Sequence, residues 1–275
     1  MSINTLMETW SRQAEAMGEF HRQELRETGP AWETLLLHGL ENAPGNRVLD
    51  AGCGTGFLAL LLARNGWYVT AIDASTAMIE QGLRMAKEMG LTEFVTFQVG
   101  DVQTIDLPDN TFDAVVSRHA SWLFQDPESA YRTWVRLLRP GGTLLNMDAN
   151  WLLPLWESEA TAQFWADEAE LVRRYGPFQD FYHDTDMMDT LRRVPLAFQE
   201  RPAWDEALCR KLGLGVESVP AGRDILEFLS GSPLPHNAHL YASCTKANGR
   251  DERGRKWKRR TRINGQYAML YPPYC

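Results

Sequence analysis

Apolar residues recur along this chain with two different periods, and the switches between them lay out its elements. Over residues 3–43, Trp10, Ala14, Met17, Phe20 and Leu25 fall at helical spacing. Trp32, Leu35, Leu36 and Leu40 resume it after Gly29-Pro30, predicting helices. Pro44-Gly45 then marks a turn. Short apolar runs predict strands at 47–51, 68–72, 94–99, 113–117 and 142–148, with helices over 56–65, 75–89 and 127–138 between them. The last helix runs into Arg139-Pro140-Gly141-Gly142, a stop followed by a turn. Strands alternating with helices give a mostly parallel α/β sheet with helices on both faces. From 149 to 202 the alternation lapses into an aromatic-rich segment with helical stretches near 156–174 and 184–195. A helix over 204–212 and strands at 215–219 and 240–244 complete the pattern, the two strands forming an antiparallel pair and bringing the count to seven.

Composition adds bounds. The 275 residues, 44% of them hydrophobic, suffice for one sizeable α/β domain with insertions. Cys53, Cys209, Cys244 and Cys275 are scattered without a C-x-x-C pair, which speaks against a disulfide framework or a zinc site and fits a reducing cytoplasm. No apolar run nears the ~20 residues that span a bilayer. Met1 to Phe20 carries Glu8, Glu15 and Glu19 and lacks the apolar stretch of a secretory signal. The expectation is a soluble cytoplasmic protein. Net charge is −8, yet residues 246–262 hold nine Lys/Arg against Asp251 and Glu252, leaving about −15 on the remainder. The acidic body would repel a polyanion, so only this basic stretch offers nucleic acid a place to bind.

Candidate chemistry clusters at predicted strand ends, where parallel sheets bind ligands. Val48-Leu49-Asp50 runs into Ala51-Gly52-Cys53-Gly54-Thr55-Gly56 and then the apolar Phe57–Ala63. Such a strand–turn–helix lets backbone N–H groups approach a ligand, because glycine tolerates positive φ. Asp73 ends the next strand, about twenty residues on, a spacing suited to holding a ribose diol. Asp101 and Ser117-Arg118-His119 fall at the ends of the third and fourth strands.

The chain from Arg47 to Asp148 resembles the class I S-adenosylmethionine-dependent methyltransferases in their small-molecule branch. The residues carrying this likeness are Val48–Gly56, with a D-x-G-x-G-x-G core, Ala71–Met78, Gln98–Val102 with Leu107-Pro108, Phe112–Ser117, and Leu137–Leu144. The likeness implies a Rossmann-like fold, and fades through the last two strands. The glycines at 52, 54 and 56, preceded by Asp50, depart from the G-x-G-x-x-G turn that accommodates a pyrophosphate. A carboxylate there suits the amino group of a methionine moiety instead.

With S-adenosylmethionine as the implied cofactor and S-adenosylhomocysteine as product, roles follow from the resemblance. Gly52, Cys53 and Gly54 let the backbone approach the ligand; Asp50 orients this loop and attracts the amino group. Asp73 accepts from both ribose hydroxyls, Ala74 and Met78 pack on adenine, and Asp101 with the Val102 N–H meets the adenine edge. Ser117, Arg118 and Trp10 complete the expected contacts, Arg118 by binding the cofactor carboxylate or a substrate anion. His119 is the candidate general base; Trp122, Asp148, Trp151, Tyr182 and His183 are candidate acceptor contacts. Met17 stands where similar proteins often carry a tyrosine. No metal is expected.

The domain expected is 1–246, with N-terminal helices over 1–43 as a lid and 149–202 as a substrate cover. Residues 247–275 lie outside it. The function expected is in-line methyl transfer to a small-molecule acceptor. An RNA or protein methyltransferase docking through the basic tail, and a non-catalytic cofactor-binding protein, are the alternatives. Acceptor identity and oligomeric state are not readable from the sequence.

Overall fold

In the computed structural model, residues 3–148, 185–196, 199–201, 203–220 and 241–247 are described, with single positions 165, 169 and 173 between them. Three helices lead, α1 (Ile3–Arg12), α2 (Ala14–Glu27) and α3 (Gly29–Gly39). Then come β1 (Arg47–Ala51), α4 (Phe57–Arg64), β2 (Tyr68–Asp73), α5 (Thr76–Glu88), β3 (Val95–Val99), β4 (Phe112–Arg118), α6 (Pro127–Leu137) and β5 (Leu138–Asp148). The elements described beyond them are α7 (Thr185–Leu191), α8 (Ala203–Lys211), β6 (Leu214–Pro220) and β7 (Tyr241–Ala247).

The strands form one seven-stranded sheet in the order β3-β2-β1-β4-β5-β7-β6. β7 pairs antiparallel with both β5 and β6, and the other neighbours are parallel. Strand order reverses between β1 and β4, so the carboxyl ends of those two strands frame the crevice where such sheets take ligands.

Central strands carry apolar residues on both faces because helices cover both. Alternate residues serve different cores. Val48 and Val116 pack with Trp32, Leu36 and the α4 residues Phe57–Ala63. Leu49 and Val115 pack with Tyr131, Trp134 and Leu137 of α6 and with Leu208 and Cys209 of α8. Short polar caps set the helix starts. The Ser75 hydroxyl accepts from the Met78 N–H at 3.3 Å, and the Asp126 carboxylate from the Ser129 N–H at 2.9 Å.

Two expectations change. The N-terminal helical stretch breaks at Gln13 as well as at Thr28, giving three helices. Pro30 opens α3, where its missing N–H costs nothing. The expected turn at 139–142 lies within β5: Phe112 pairs with Leu138 and Ala114 with Thr143, so the intervening residues bulge, with Gly141 at φ +81°. Most of 149–202, including the helical stretch near 156–174 apart from the three single positions, and residues 248–275 lie outside the described set.

Candidate active site

Gly52, Gly54 and Gly56 have φ of +73°, +54° and +85°, a left-handed region that strains other residues. A Cβ on Gly52 would stand 2.6 Å from the Ala120 Cβ, and one on Gly56 would stand 2.7 Å from the Phe97 ring. A Cβ on Gly54 would meet nothing within 4 Å. The middle glycine therefore faces open space, and the outer two let the chain pass close to its neighbours. Gly52 and Cys53 both donate their N–H to the Ile72 carbonyl, at 2.9 and 3.0 Å, tying the loop to β2.

Two carboxylates frame this turn. Asp50 is 1% exposed, and its Oδ2 accepts from the Ala59 N–H at 3.0 Å. Gly56, at the start of α4, has no side chain to cap the helix, so Asp50 reaches across from β1 to satisfy the third N–H. Burial pushes its carboxyl up to about 7, against the helping Ala59 bond. Asp73 Oδ2 accepts from the Gly54 N–H at 2.8 Å and its Oδ1 from the Ser75 N–H at 2.9 Å. Burial raises this carboxyl as well, although its backbone donors oppose the shift. Asp101 lies on the surface in a turn, accepting from the Gln103 backbone and side-chain amide at 2.9 and 3.1 Å. Val102 is buried, and its carbonyl accepts from Trp134 Nε1 at 3.1 Å. The Cys53 thiol is buried and raised well above its usual value, by desolvation and by Asp50 and Asp73.

The lead helices pack over this edge. The Trp10 ring joins Phe20, Ala14, Met17 and Met78 in a small apolar cluster, which buries Met78 under the α1–α2 layer. Ala74 lines a cleft of about 700 Å³ beside α1 with Ser11 and Arg12, and Ser11 Oγ lies 2.8 Å from Ser75 Oγ. His21 Nδ1 lies 2.6 Å from Thr55 Oγ1 inside the glycine loop. Desolvation, helped by Arg118, lowers this imidazole to about 3, so it is neutral at physiological pH.

Arg118, at the end of β4, forms a bidentate pair with Glu24 of α2 at 2.6 and 3.2 Å. Its guanidinium also stacks over Trp32 and Phe57, with centroid distances of 4.2 and 4.3 Å. The group expected to meet a ligand carboxylate thus holds one from α2. His119 follows at φ +53°, its N–H donating to the Met147 carbonyl at 2.8 Å. Burial, with Arg118 and His21 adding, drives its imidazole well below the usual histidine value. Ser117 is fully buried and donates to the Ala51 carbonyl at 2.8 Å, tying β4 to β1.

Trp122 is 6% exposed, its Nε1 donating to the His119 carbonyl at 3.1 Å and its N–H to Asp148 Oδ2 at 2.9 Å. Asp148 is more deeply buried, and it also receives Ser121 Oγ at 2.6 Å. The structure therefore brings Asp50, Gly52, Cys53, Gly54, Asp73, Ser117, Arg118, His119, Trp122 and Asp148 to neighbouring strand ends. Trp151, Tyr182 and His183 lie outside the described residues.

Sequence reasoning missed His21, Glu24 and Arg201. One signal was present: His21 sits four residues from both Met17 and Leu25, so it is a polar group on an apolar helix face. Among the described residues no group of three or more His, Cys, Asp or Glu gathers as for a metal ion, and no helix is long and apolar enough to cross a membrane.

Residues 49–146 match the family described as methyltransferase domain. The chain is 34% identical over 197 residues to a ubiquinone biosynthesis O-methyltransferase of Alkalilimnicola ehrlichii, covering 61% of this chain and 77% of that protein. It is 40% identical over 106 residues to phosphoethanolamine N-methyltransferase 1 of Arabidopsis thaliana, covering 38% of this chain but 21% of the plant protein. The chain thus spans about a fifth of the length of that relative. A solved geranyl diphosphate C-methyltransferase from Streptomyces coelicolor superposes with a TM-score of 0.56 at 16% identity, over 84% of this chain and 83% of that one, a likeness of fold.

Proposed function

Because the chain belongs to the class I S-adenosylmethionine-dependent methyltransferases, we propose that it methylates a small organic acceptor beyond the ends of β4 and β5. The observation that carries this reading is the positive-φ glycine turn at the β1 strand end, where an added Cβ on Gly54 would meet nothing within 4 Å and the Gly54 N–H donates to Asp73. The residues present fit the cofactor. A positive-φ loop is formed by its own glycines, and the strand-end carboxylate of Asp73 is fixed beside it by backbone N–H groups, Gly54 and Ser75 among them. Asp50 lies behind the loop as a buried carboxyl raised to about 7, whose charged form a cationic ligand would favour. Gly52–Gly54, Asp73, Ala74 and Asp101 would hold the cofactor.

When bound, S-adenosylmethionine supplies an electrophilic methyl group on a sulfonium. This chain's contribution is orientation and exclusion of water. Well-oriented reactants gain roughly 7–11 kcal/mol over free encounter. Arg118 and Glu24 fasten α2 over the loop, and His21 secures Thr55 from the same helix. His119 is neutral, so its imidazole can accept a hydrogen bond from an acceptor group. Its low basicity suits positioning better than full proton removal. One relative is named for phosphoethanolamine, a small molecule, and the other for ubiquinone biosynthesis, which supports a small-molecule acceptor.

Calorimetric titration with S-adenosylhomocysteine tests the reading. The wild-type protein should bind it, and Asp73→Ala should weaken binding about a hundredfold, the scale of two charge-assisted hydrogen bonds. An absence of heat for the wild type, or an unchanged affinity in a folded Asp73→Ala variant, would overturn it.

A further inference from the structure

A second polar cluster lies on the face of β5 that meets α6 and α8. Ser121, Tyr131, Asn146, Asp148, Arg201 and Asp205 are each no more than 3% exposed. Arg201 Nε and Nη2 donate to Asp205, and the Tyr131 hydroxyl donates to the same carboxylate. Arg201 Nη2 also donates to Ser121 Oγ at 3.0 Å, and its Nη1 lies 3.5 Å from Asp148 Oδ2. Burial and Asp205 push the Tyr131 phenol far up, so it remains a donor.

One guanidinium between two buried carboxylates is a costly way to hold a helix on a sheet. Apolar side chains of the same volume often do so with equal or greater stability. What an ionic cluster adds is direction, because each bond fixes a partner's orientation. Followed outward, the bonds lead to the reaction side. Arg201 holds Ser121 and Asp148; Asp148 holds the Trp122 N–H; Trp122 holds the His119 carbonyl. Asp148 and Arg201 lie 53 positions apart in sequence and are joined here directly.

We propose that Arg201 is a positioning residue for the acceptor side of the site, helping to fix the turn that carries His119 and Trp122 from just before α8. Asp148 and Asn146 bond Ser121 from β5 at 2.6 and 3.1 Å, and Arg201 adds the link from this turn to Asp205 of α8. The proposal rests on the methyltransferase reading for its meaning but not for its test.

Residue-resolved hydrogen exchange on the 275-residue chain reads it without any acceptor. Lysine keeps the charge but cannot reach Asp205, Asp148 and Ser121 together. Arg201→Lys should speed exchange of the 119–123 amides about tenfold, the scale of one net hydrogen bond, and leave β1 and β2 unchanged. Asp205→Asn removes the charge that holds Arg201 while leaving Ser121 bonded to Asp148 and Asn146, and should loosen the same amides. It decides the matter if Arg201→Lys does not fold. Acceleration confined to α8, or spread evenly through the sheet, would overturn the proposal, since the cluster would then be an anchor only. S-adenosylhomocysteine binding, titrated in parallel, separates the two ideas. Its absence in the wild type would remove the methyltransferase reading and leave the exchange result standing.

Discussion

Replacing Asp50 by asparagine should make this protein more stable at neutral pH and poorer at binding its cofactor. The carboxyl is 1% exposed and sits at about 7 instead of its ordinary 3.8. An acid whose folded value is raised binds its proton more tightly when folded, so its penalty is absent below pH ~4. The penalty grows as pH rises and is complete above about 7. Some three units at 1.36 kcal/mol each amount to roughly 4 kcal/mol at pH 8. Asparagine keeps the shape, and its carbonyl can still accept the Ala59 N–H seen at 3.0 Å. Its amide hydrogens need partners that the carboxylate did not, which returns about 1–3 kcal/mol. Asp50→Asn should therefore gain about 1–3 kcal/mol over wild type in urea unfolding at pH 8, and the gap should shrink by roughly 3 kcal/mol on going to pH 5. Comparing variant with wild type at each pH cancels the other titrating groups. S-adenosylhomocysteine affinity should fall in the same variant. A variant less stable than wild type at pH 8, or one with the same pH slope, would refute the reasoning.

Other expectations follow from the same geometry. Gly54→Ala meets no neighbour, so it should lose only the roughly 1–2 kcal/mol of a left-handed alanine while its methyl group blocks S-adenosylhomocysteine in calorimetry. Gly52→Ala adds a clash with Ala120 and should lower the melting temperature further. Glu24→Gln leaves the Arg118 guanidinium buried without its carboxylate and should cost about 3 kcal/mol in urea unfolding. His21 titrates in the opposite sense to Asp50, because its folded value of about 3 lies below the unfolded 6.5. Its contribution holds above pH ~6.5 and is lost as pH falls. At pH 5 that loss is roughly 2 kcal/mol, and His21→Gln should show a correspondingly shallower decline in unfolding free energy.

The sheet was legible because burial on two faces leaves a plain mark, as in Val48-Leu49 and Val115-Val116 between turn residues. The glycine turn was legible for a related reason, since positive φ restricts residue choice. Pairings across long sequence separations left no such mark. Nothing local tells that Arg118 meets Glu24, 94 positions away, or that Asp148 meets Arg201 instead of open solvent. The bulge in β5 escaped because Arg139-Pro140-Gly141-Gly142 has the composition of a helix stop, and only pairing with Phe112 shows that it lies within a strand.

The alternation along β1 has a consequence for how the chain finds its fold. Val48 and Asp50 face α4, whereas Leu49 and Ala51 face α6. A slip of one residue would exchange these faces and drive the Asp50 carboxylate into the layer containing Ile72, Val115 and Trp134, away from Ala59. The apolar neighbours alone discriminate poorly between the two registers, since valine and leucine fit either side. A single charged group in mid-strand makes the wrong pairing expensive, so the same carboxylate that burdens the finished structure acts as a proofreader of strand alignment during its assembly.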